Sequence, residues 1–302
     1  MNFVTRLQSK TPGRASAWLI GVLFLSSFFR TGAAETGPSP IVSRKARILL
    51  VTGIDYPGHL WRQTAPVLAE ALGKDARLEV FTVEDPQVLD SSAIFSYDLI
   101  LLHFQNWQRP GPDKLARENL RRFVENGKGV ALVHFACGAW YDEWPEFGSL
   151  AGRVWFGPDP GPGKRQHDPY GPFRVELLKG DHPITRGMAD FDTQDELYTC
   201  LVGDYPIEVI AQAKSKFDGK EYPMAFISRF GTGRTFHCVL GHDVKALRVP
   251  AVEELYRRGC AWAAGLEPVV GGGKQIRSFG SQHASSHKKK TICGKFLIST
   301  PE

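Results

Sequence analysis

The run GVALVHFACGAW at residues 129–140 contains the pattern that decides the fold. Its first part, residues 129–135, is almost continuously apolar, and small residues follow it. An apolar run of this length predicts a strand that is buried on both faces. The runs RILLVT at 47–52 and YDLILLHF at 97–104 have the same character and predict two more central strands.

Amphipathic segments alternate with these apolar runs. Residues 61–72 and 114–126 place apolar side chains at helical spacing, and Gly127 follows the second segment as a C-cap. Buried strands separated by helices are typical of a parallel sheet covered on both faces. The sequence therefore predicts an α/β fold, a three-layer sandwich with a mostly parallel central sheet. Further strands are predicted at 78–83, 173–178, 207–213, 224–230 and 235–240, and a last helix at 251–264.

The first 34 residues have the three parts of a secretory signal peptide. Arg6, Lys10 and Arg14 precede an apolar run at 15–29, and the small residues at 32–34 form a cleavage site. The apolar run is shorter than the ~20 residues that a membrane-spanning helix requires. The sequence therefore predicts export to the periplasm or the extracellular space of a bacterium, with no integral membrane span in the mature chain.

Charge and composition divide the rest of the chain into three parts. Residues 35–44 form a short polar leader, residues 45–268 the folded domain, and residues 269–302 a basic tail rich in Ser, His, Lys and Gly that is predicted to be disordered. The formal net charge is +5, but the excess of cations over acidic residues lies in the signal segment and the tail. The folded domain is mildly acidic, which excludes nucleic acid as an expected partner.

Several polar residues follow the predicted strands, where an open parallel sheet binds its ligands. His59, His134 and His242 come after three of the strands, His167 lies in a Pro/Gly-rich loop, and Glu196 belongs to the sequence DELY. We expect these five side chains to converge on one pocket and to form the catalytic site.

Two kinds of chemistry suit this set of residues. Imidazole and carboxylate groups transfer protons near neutral pH, and the four histidines could instead bind a divalent metal ion such as zinc. Short ligand spacings such as HExxH are absent from the sequence, so the sequence leaves both interpretations open. By contrast, His103 and His237 lie within apolar strand sequence, and His182 lies in an Asp-His-Pro turn; all three are predicted to be structural.

Cys137 is an alternative nucleophile, because it follows a central strand where related folds place one on a strand-to-helix turn. Gly138 follows it directly, but the positions two residues away on either side are not glycine, as such a turn requires. His242 would be the base of this thiol. The competing interpretation is a small residue packed in the core.

Aromatic residues near the strand ends suggest a carbohydrate ligand, because aromatic faces stack on the apolar faces of sugar rings. The predicted substrate-binding residues are Trp61, Trp107, Trp140, Asp195 and Tyr198. Ordinary packing of large side chains is the alternative for each aromatic residue.

Seven segments occur in an order that resembles the ThuA-like family, a branch of the class I glutamine amidotransferase-like superfamily. The resemblance covers residues 45–266, essentially the whole folded domain. The segments are GH at 58–59, GVALVHFACGAW at 129–140, QHDPYGPFRVELL at 166–178, HPITRGM at 182–188, DELY at 195–198, PMAF at 223–226 and GTGRTFHCVLGHD at 231–243.

The resemblance implies a flavodoxin-like core and a role in the utilisation of trehalose or related sugars. It also implies that a Cys-His-Glu triad is not a general feature, because other small residues commonly take the place of Cys137. The expected function is an exported enzyme of the isomerase, lyase or hydrolase type that acts on a sugar or keto-sugar. A Cys137-dependent hydrolase or amidotransferase-like enzyme and a non-catalytic glycan-binding module are the alternatives. The expected partner is a small carbohydrate, and the prediction leaves open a homo-oligomer.

Overall fold

The computed structural model describes residues 44–140, 143–155, 166–178 and 180–270. The predicted signal peptide at 1–34 lies outside the described residues, as do all but one residue of the predicted leader and nearly all of the predicted tail. Among the described helices, none has the length and apolar character needed to cross a membrane.

The described strands form one sheet of nine strands in the order β2-β1-β3-β4-β9-β8-β7-β5-β6. The parallel part begins with the order 2-1-3-4, as in flavodoxin. The strands are β1 (Ala46–Val51), β2 (Leu78–Val83), β3 (Leu99–Leu102), β4 (Gly129–Val133), β5 (Gly171–Leu177), β6 (Phe191–Asp195), β7 (Glu208–Lys214), β8 (Glu221–Phe230) and β9 (Gly233–Cys238).

The sheet is mixed, which corrects the prediction of a mostly parallel sheet. The pairings among β1, β2, β3, β4 and β9 are parallel. The pairings that link β9, β8, β7, β5 and β6 are antiparallel. The physical reason is the short connections in the second half, such as the turn between β8 and β9, because a tight hairpin can join only antiparallel neighbours.

The helices at residues 61–72, 114–126 and 251–264 are confirmed within one or two residues at each end. Two further short helices were not predicted from the sequence. The helices are α1 (Trp61–Gly73), α2 (Lys114–Glu125), α3 (Phe147–Ala151), α4 (Val244–Leu247) and α5 (Pro250–Ala263), and short 3₁₀ segments lie at Pro86–Asp90, Ser92–Ser96 and His134–Gly138.

Alternate residues of the central strands belong to two separate apolar clusters. Ile48 and Leu50 of β1 pack in one cluster with residues of α1 and α5. Leu49 and Val51 pack in the other cluster with residues of α2 and α3. Because successive side chains of a strand point to opposite faces, the two clusters lie on opposite sides of β1.

The strand β6 was not predicted, and its position explains why. Its sequence FDTQD is polar, and β6 pairs with β5 alone at one edge of the sheet. An edge strand contributes little to the core, so it lacks the apolar run by which the central strands are recognised.

Candidate functional site

Four side chains converge beyond the carboxyl ends of the strands: His59, His134, Glu196 and His242. Each residue offers one potential metal-ligand atom, a ring nitrogen or a carboxylate oxygen, and these four atoms lie within 4.8 Å of one another. His59 lies on the loop between β1 and α1, His134 follows β4 directly, and His242 follows β9. Because β1, β4 and β9 run parallel, their carboxyl ends share one edge. We call these four residues the His/Glu cluster.

Glu196 comes to this site from β6, the last strand at the antiparallel end of the sheet. It follows β6, which runs in the same direction as β9 because four antiparallel pairings separate the two strands. The β7–β8 pairing has register shifts between Val209 and Ala211 and between Ala211 and Gln212. Such irregularities bend a strand and increase its twist. A curled antiparallel half can thus bring the end of β6 back towards β9.

His134 lies at a strained turn. It is a fully buried residue with a φ of 41° at the start of the 3₁₀ segment after β4. Residues other than glycine rarely adopt this left-handed conformation, and strain of this kind concentrates at functional sites. Its Nδ1 lies 2.6 Å from the carbonyl oxygen of Val239. A carbonyl only accepts hydrogen bonds, so Nδ1 is the donor, and Nε2 is the nitrogen that can act as an acceptor or a ligand.

The carboxylate of Glu196 lies between two imidazoles. Its Oε2 is 3.5 Å from Nε2 of His134 and 3.2 Å from Nδ1 of His242. Burial raises the pKa of Glu196, but the contacts with His134 and His242 lower it by more, so the group is ionised. Burial lowers the pKa of His242, and the contact with Glu196 raises it above the ordinary value. The cluster therefore contains one fixed negative charge.

His59 has no hydrogen-bond partner at either ring nitrogen among the described residues, and both nitrogens are buried. Its ring stacks on Phe135 at 4.4 Å, and its centroid lies 5.2 Å from that of His134 and 5.1 Å from that of His242. Burial lowers the pKa of His59 well below its usual range, and the neighbouring imidazoles lower it further. The ring is therefore neutral. A buried polar group without a partner costs about 1–3 kcal/mol, so it calls for an explanation such as a bound ligand.

His167 lies at the rim of the cluster. Its Nδ1 is 2.8 Å from the carbonyl oxygen of Asp168 and 3.8 Å from Oε1 of Glu196. The side chain is 35% exposed, whereas that of Glu196 is 14% exposed. The sequence predicted His167 as the fourth metal ligand beside His59, His134 and His242. In the structure, Glu196 takes that place in the His/Glu cluster.

The predicted substrate-binding residues occupy different environments. Trp140 is buried in the core and donates a hydrogen bond from Nε1 to the carbonyl oxygen of Pro112. Asp195 is fully buried as well, and the hydroxyl of buried Tyr198 lies 2.8 Å from Nε2 of His134. Burial argues against direct contact between a substrate and Trp140 or Asp195. Trp107 is partly exposed.

A surface cavity of about 540 Å³ opens beside His59, which is one of its lining residues. Trp61 also lines this cavity, although most of its indole is buried. His59 and Trp61 are the only lining residues that were predicted from the sequence as site residues. All but one of the other lining residues belong to the loop after β1 or to the start of α1. The other lining residues are Asp55, Tyr56, Pro57, Leu60, Arg62, Gln63 and Gln108.

Cys137 is almost completely buried, and burial raises the pKa of its thiol well above the usual range. His134, not Cys137, has the strained backbone that a nucleophile turn requires. Gly138 has a packing role, because a Cβ atom there would lie 2.4 Å from Nε1 of Trp107. These observations do not favour a reactive thiol.

The structural role predicted for His103 is confirmed. Its Nδ1 lies 3.0 Å from the hydroxyl of Thr52 and its Nε2 lies 3.1 Å from the hydroxyl of Thr64. His237 is also fully buried, and its Nδ1 contacts the carbonyl oxygen of Ala151 at 3.1 Å. The nitrogens of His103 are thus occupied by hydroxyl groups, unlike those of His59.

The donor set of the His/Glu cluster fits a divalent cation. Three imidazoles and one carboxylate are ligands that zinc prefers, and zinc binds nitrogen at about 2.0–2.1 Å. Four donors at that distance from a tetrahedral ion are about 3.4 Å apart. The donors of the cluster, within 4.8 Å of one another, would need only small side-chain movements to reach this arrangement.

Comparison with known proteins agrees with the fold. The sequence model of a family described as "ThuA: Trehalose utilisation" matches residues 47–263. No curated protein matches the chain significantly.

Solved structures with similar folds include two ThuA-like proteins. One, from Parabacteroides merdae, has 24% identity and a TM-score of 0.65, with 74% of this chain and 92% of that chain covered. The other, from Bacteroides uniformis, has 16% identity and a TM-score of 0.58, with 76% and 95% covered. A β-galactosidase from Rahnella sp. R3 has 12% identity and a TM-score of 0.50, with 74% of this chain matching 32% of that chain. At these identities the likenesses concern the fold alone.

Proposed function

The chain belongs to the ThuA family, and from this membership we propose that it is a carbohydrate-metabolism enzyme that acts on a sugar or keto-sugar with a divalent metal ion. The ion would be held by His59, His134, Glu196 and His242. The observation that carries the proposal is His59, a buried and neutral imidazole with two unpartnered nitrogens that faces two other imidazoles. A cation in the cluster would supply the missing partner.

The tautomer of His134 supports the same proposal. Histidine ligands of metal ions commonly donate their second ring N–H to a carbonyl or carboxylate, which orients the ring. The hydrogen bond from Nδ1 of His134 to the carbonyl oxygen of Val239 is of this kind. It leaves Nε2, the nitrogen that faces Glu196, as the atom that would bind a metal ion. The hydroxyl of Tyr198 donates to the lone pair of Nε2, and a cation in the cluster would take its place. Imidazole ligands suit zinc and other transition metals better than magnesium or calcium.

A keto-sugar is a substrate that suits such a site. A carbonyl acidifies its neighbouring C–H group, so that a positioned base can remove the proton in an isomerisation or elimination. A divalent ion, when bound, would polarise the carbonyl oxygen as a Lewis acid. His167 is suited to be the base, because its Nδ1 lies 2.8 Å from the carbonyl oxygen of Asp168, so that Nε2 is the ring nitrogen that can accept a proton.

The cavity beside His59 provides a place for the sugar ring. Tyr56 contributes aromatic surface, and the amides of Gln63 and Gln108 can donate to and accept from hydroxyl groups. Such a mixture of apolar faces and paired polar groups suits carbohydrates. Export is part of the proposal and rests on the signal-like sequence of residues 1–34.

Metal analysis of the purified, tag-free protein tests the proposal. We expect about one equivalent of zinc or another transition metal in the parent and a loss of most of it in His59→Ala. His182→Ala is the matched control, because that histidine lies in a turn and its Nδ1 accepts a bond from the backbone of Ile184. The proposal fails if the parent binds no divalent metal even after incubation with zinc, manganese or cobalt.

Turnover is then tested by NMR with disaccharides and their keto derivatives. We expect product formation by the parent, and no product from His167→Ala although that variant keeps its metal. Tight binding of sugars without any product would favour the non-catalytic glycan-binding module instead.

A further inference from the structure

The side chain of Asp195, which immediately precedes Glu196 of the His/Glu cluster, is fully buried. Its Oδ1 accepts hydrogen bonds from the backbone N–H groups of Glu196 at 2.8 Å and of His242 at 3.1 Å. Its Oδ2 accepts a hydrogen bond from the N–H of Gly241 at 2.6 Å. One carboxylate therefore joins the end of β6 to the loop that follows β9.

We infer that Asp195 is a positioning residue, which holds the backbone of Glu196 and His242 so that their side chains meet at the metal site. This inference rests on the proposed function, because it names what arranges two of the proposed ligands. It replaces the substrate-binding role that the sequence suggested for Asp195, since a fully buried side chain does not touch a substrate in the cavity.

Connectivity explains why such a residue is needed. Glu196 and His242 follow strands β6 and β9, which have three other strands between them in the sheet, so no ladder of hydrogen bonds fixes their separation. A metal site requires its donors to be held within about 0.5 Å of the productive geometry. Contacts between Asp195 and both loops supply that constraint directly.

The loop after β9 is shaped to accept this carboxylate. Gly241 has a φ of 116°, a conformation that favours glycine. A Cβ atom at Gly241 would lie 2.8 Å from Cδ2 of Leu247, so the position also lacks space for a side chain. With this backbone conformation, two successive N–H groups, of Gly241 and His242, point at one carboxylate.

A buried carboxylate is costly, and that cost argues for a specific role. Taking an ionised group out of water is unfavourable unless hydrogen bonds satisfy its oxygens, and apolar residues of similar size are often at least as stabilising in such places. Three N–H groups satisfy Asp195, and bonds from N–H groups to a charged acceptor are short and strong. The arrangement favours a defined geometry over mere stability.

Asparagine cannot reproduce this arrangement, although it has nearly the same shape. All three partners of Asp195 are donors, whereas an amide group has one acceptor oxygen and one donor NH₂. If the amide oxygen accepts from Glu196 and His242, the NH₂ group faces the N–H of Gly241 and repels it. In the opposite orientation, two of the three bonds are lost.

Asp195→Asn in the full chain therefore tests the inference, with Asp75→Asn as the control. Asp75 is also buried, and it accepts hydrogen bonds from the backbone and side chain of Arg77 before β2, away from the cluster. We expect Asp195→Asn to bind zinc about 10–100-fold more weakly, as for other residues that support metal ligands. The visible spectrum of the cobalt-substituted protein should change as well. Asp75→Asn should keep both the affinity and the spectrum of the parent.

Backbone NMR provides a readout that does not depend on the metal. The amide protons of Gly241 and His242 should shift upfield in metal-free Asp195→Asn, and the ring signals of His242 should move with them. If the parent binds no metal while these signals still move, the proposed metal site fails but the positioning role of Asp195 is supported.

An unchanged zinc affinity, cobalt spectrum and set of ring signals in folded Asp195→Asn would overturn the inference. An equal loss of zinc affinity in the Asp75→Asn control would also overturn it, because a general loss of stability would then explain both. If Asp195→Asn does not fold, Asp195→Glu replaces it: a carboxylate with its oxygens displaced should weaken zinc binding, and parent-like binding would contradict a positional role.

Discussion

The surroundings of His59 and of His103 differ sharply, although both imidazoles contact the ring of Phe135, with centroids at 4.4 Å and 4.8 Å. Both nitrogens of His103 meet threonine hydroxyls. Neither nitrogen of His59 has a partner among the described residues. The difference teaches that burial alone does not make a histidine structural. The partners of both nitrogens matter, and so do neighbouring ligand groups, since His237 has a buried Nε2 without a partner among the described residues but lies outside the His/Glu cluster.

The largest expected effect is on activity, from His59→Ala. Loss of one of four ligands should remove most of the bound metal and lower kcat/KM more than about 100-fold, because a Lewis acid contributes several kcal/mol to a transition state. Metal analysis and turnover measure this. The thermal stability of the metal-free protein should change little, since the lost packing on Phe135 is offset by the removal of two unpartnered nitrogens.

His103→Ala should have the opposite profile. It leaves the hydroxyls of Thr52 and Thr64 without their partner and creates a cavity, so we expect a loss of about 3 kcal/mol in the free energy of unfolding. Urea denaturation measures it. Metal content should remain at the parent level; a variant that lost metal but not stability would remove the contrast between the two histidines.

Glu196→Gln should weaken metal binding about tenfold or more, because it removes the fixed negative charge of the cluster and keeps the shape. Competition with a chelator measures the affinity. Asp98→Asn is a control of the same kind, since Asp98 forms ion pairs with Arg44 and Lys128 before β3, away from the cluster. An equal effect of both variants would mean that net charge, not the position of Glu196, determines binding.

Tyr198→Phe should strengthen metal binding about fivefold. The hydroxyl of Tyr198 donates to Nε2 of His134 and therefore competes with a cation for the same lone pair. A hydrogen bond of this kind contributes about 1 kcal/mol, which the metal no longer has to displace. Titration with zinc measures the change, and weaker binding would instead indicate that the hydroxyl supports the bound state.

The smallest effect is expected from Cys137→Ala. The thiol is buried and its pKa is raised by burial, so the variant should keep its turnover within about twofold, and iodoacetamide should not label Cys137 in the folded parent. Inactivity of the variant together with rapid labelling of the parent would restore the Cys137-dependent hydrolase as the better interpretation.

The sequence by itself determined the parallel half of the molecule. Continuous apolar runs identified β1, β3 and β4, because strands buried on both faces need apolar side chains at nearly every position. The same logic placed His59, His134 and His242 at the carboxyl ends of strands, where parallel strands bring them to one edge. These features are local in the sequence, so a single pass along the chain detects them.

Only the tertiary structure decided how the antiparallel half completes the site. The polar edge strand β6 has no apolar signal, and the register shifts of the β7–β8 pairing depend on contacts between distant segments. The burial of Trp140 and Asp195, the tautomer of His134 and the unpartnered nitrogens of His59 likewise depend on which groups pack around each residue. The sequence specifies the side chains, whereas burial and hydrogen bonding are properties of the assembled fold, and they decide which histidine is structural and which can bind an ion.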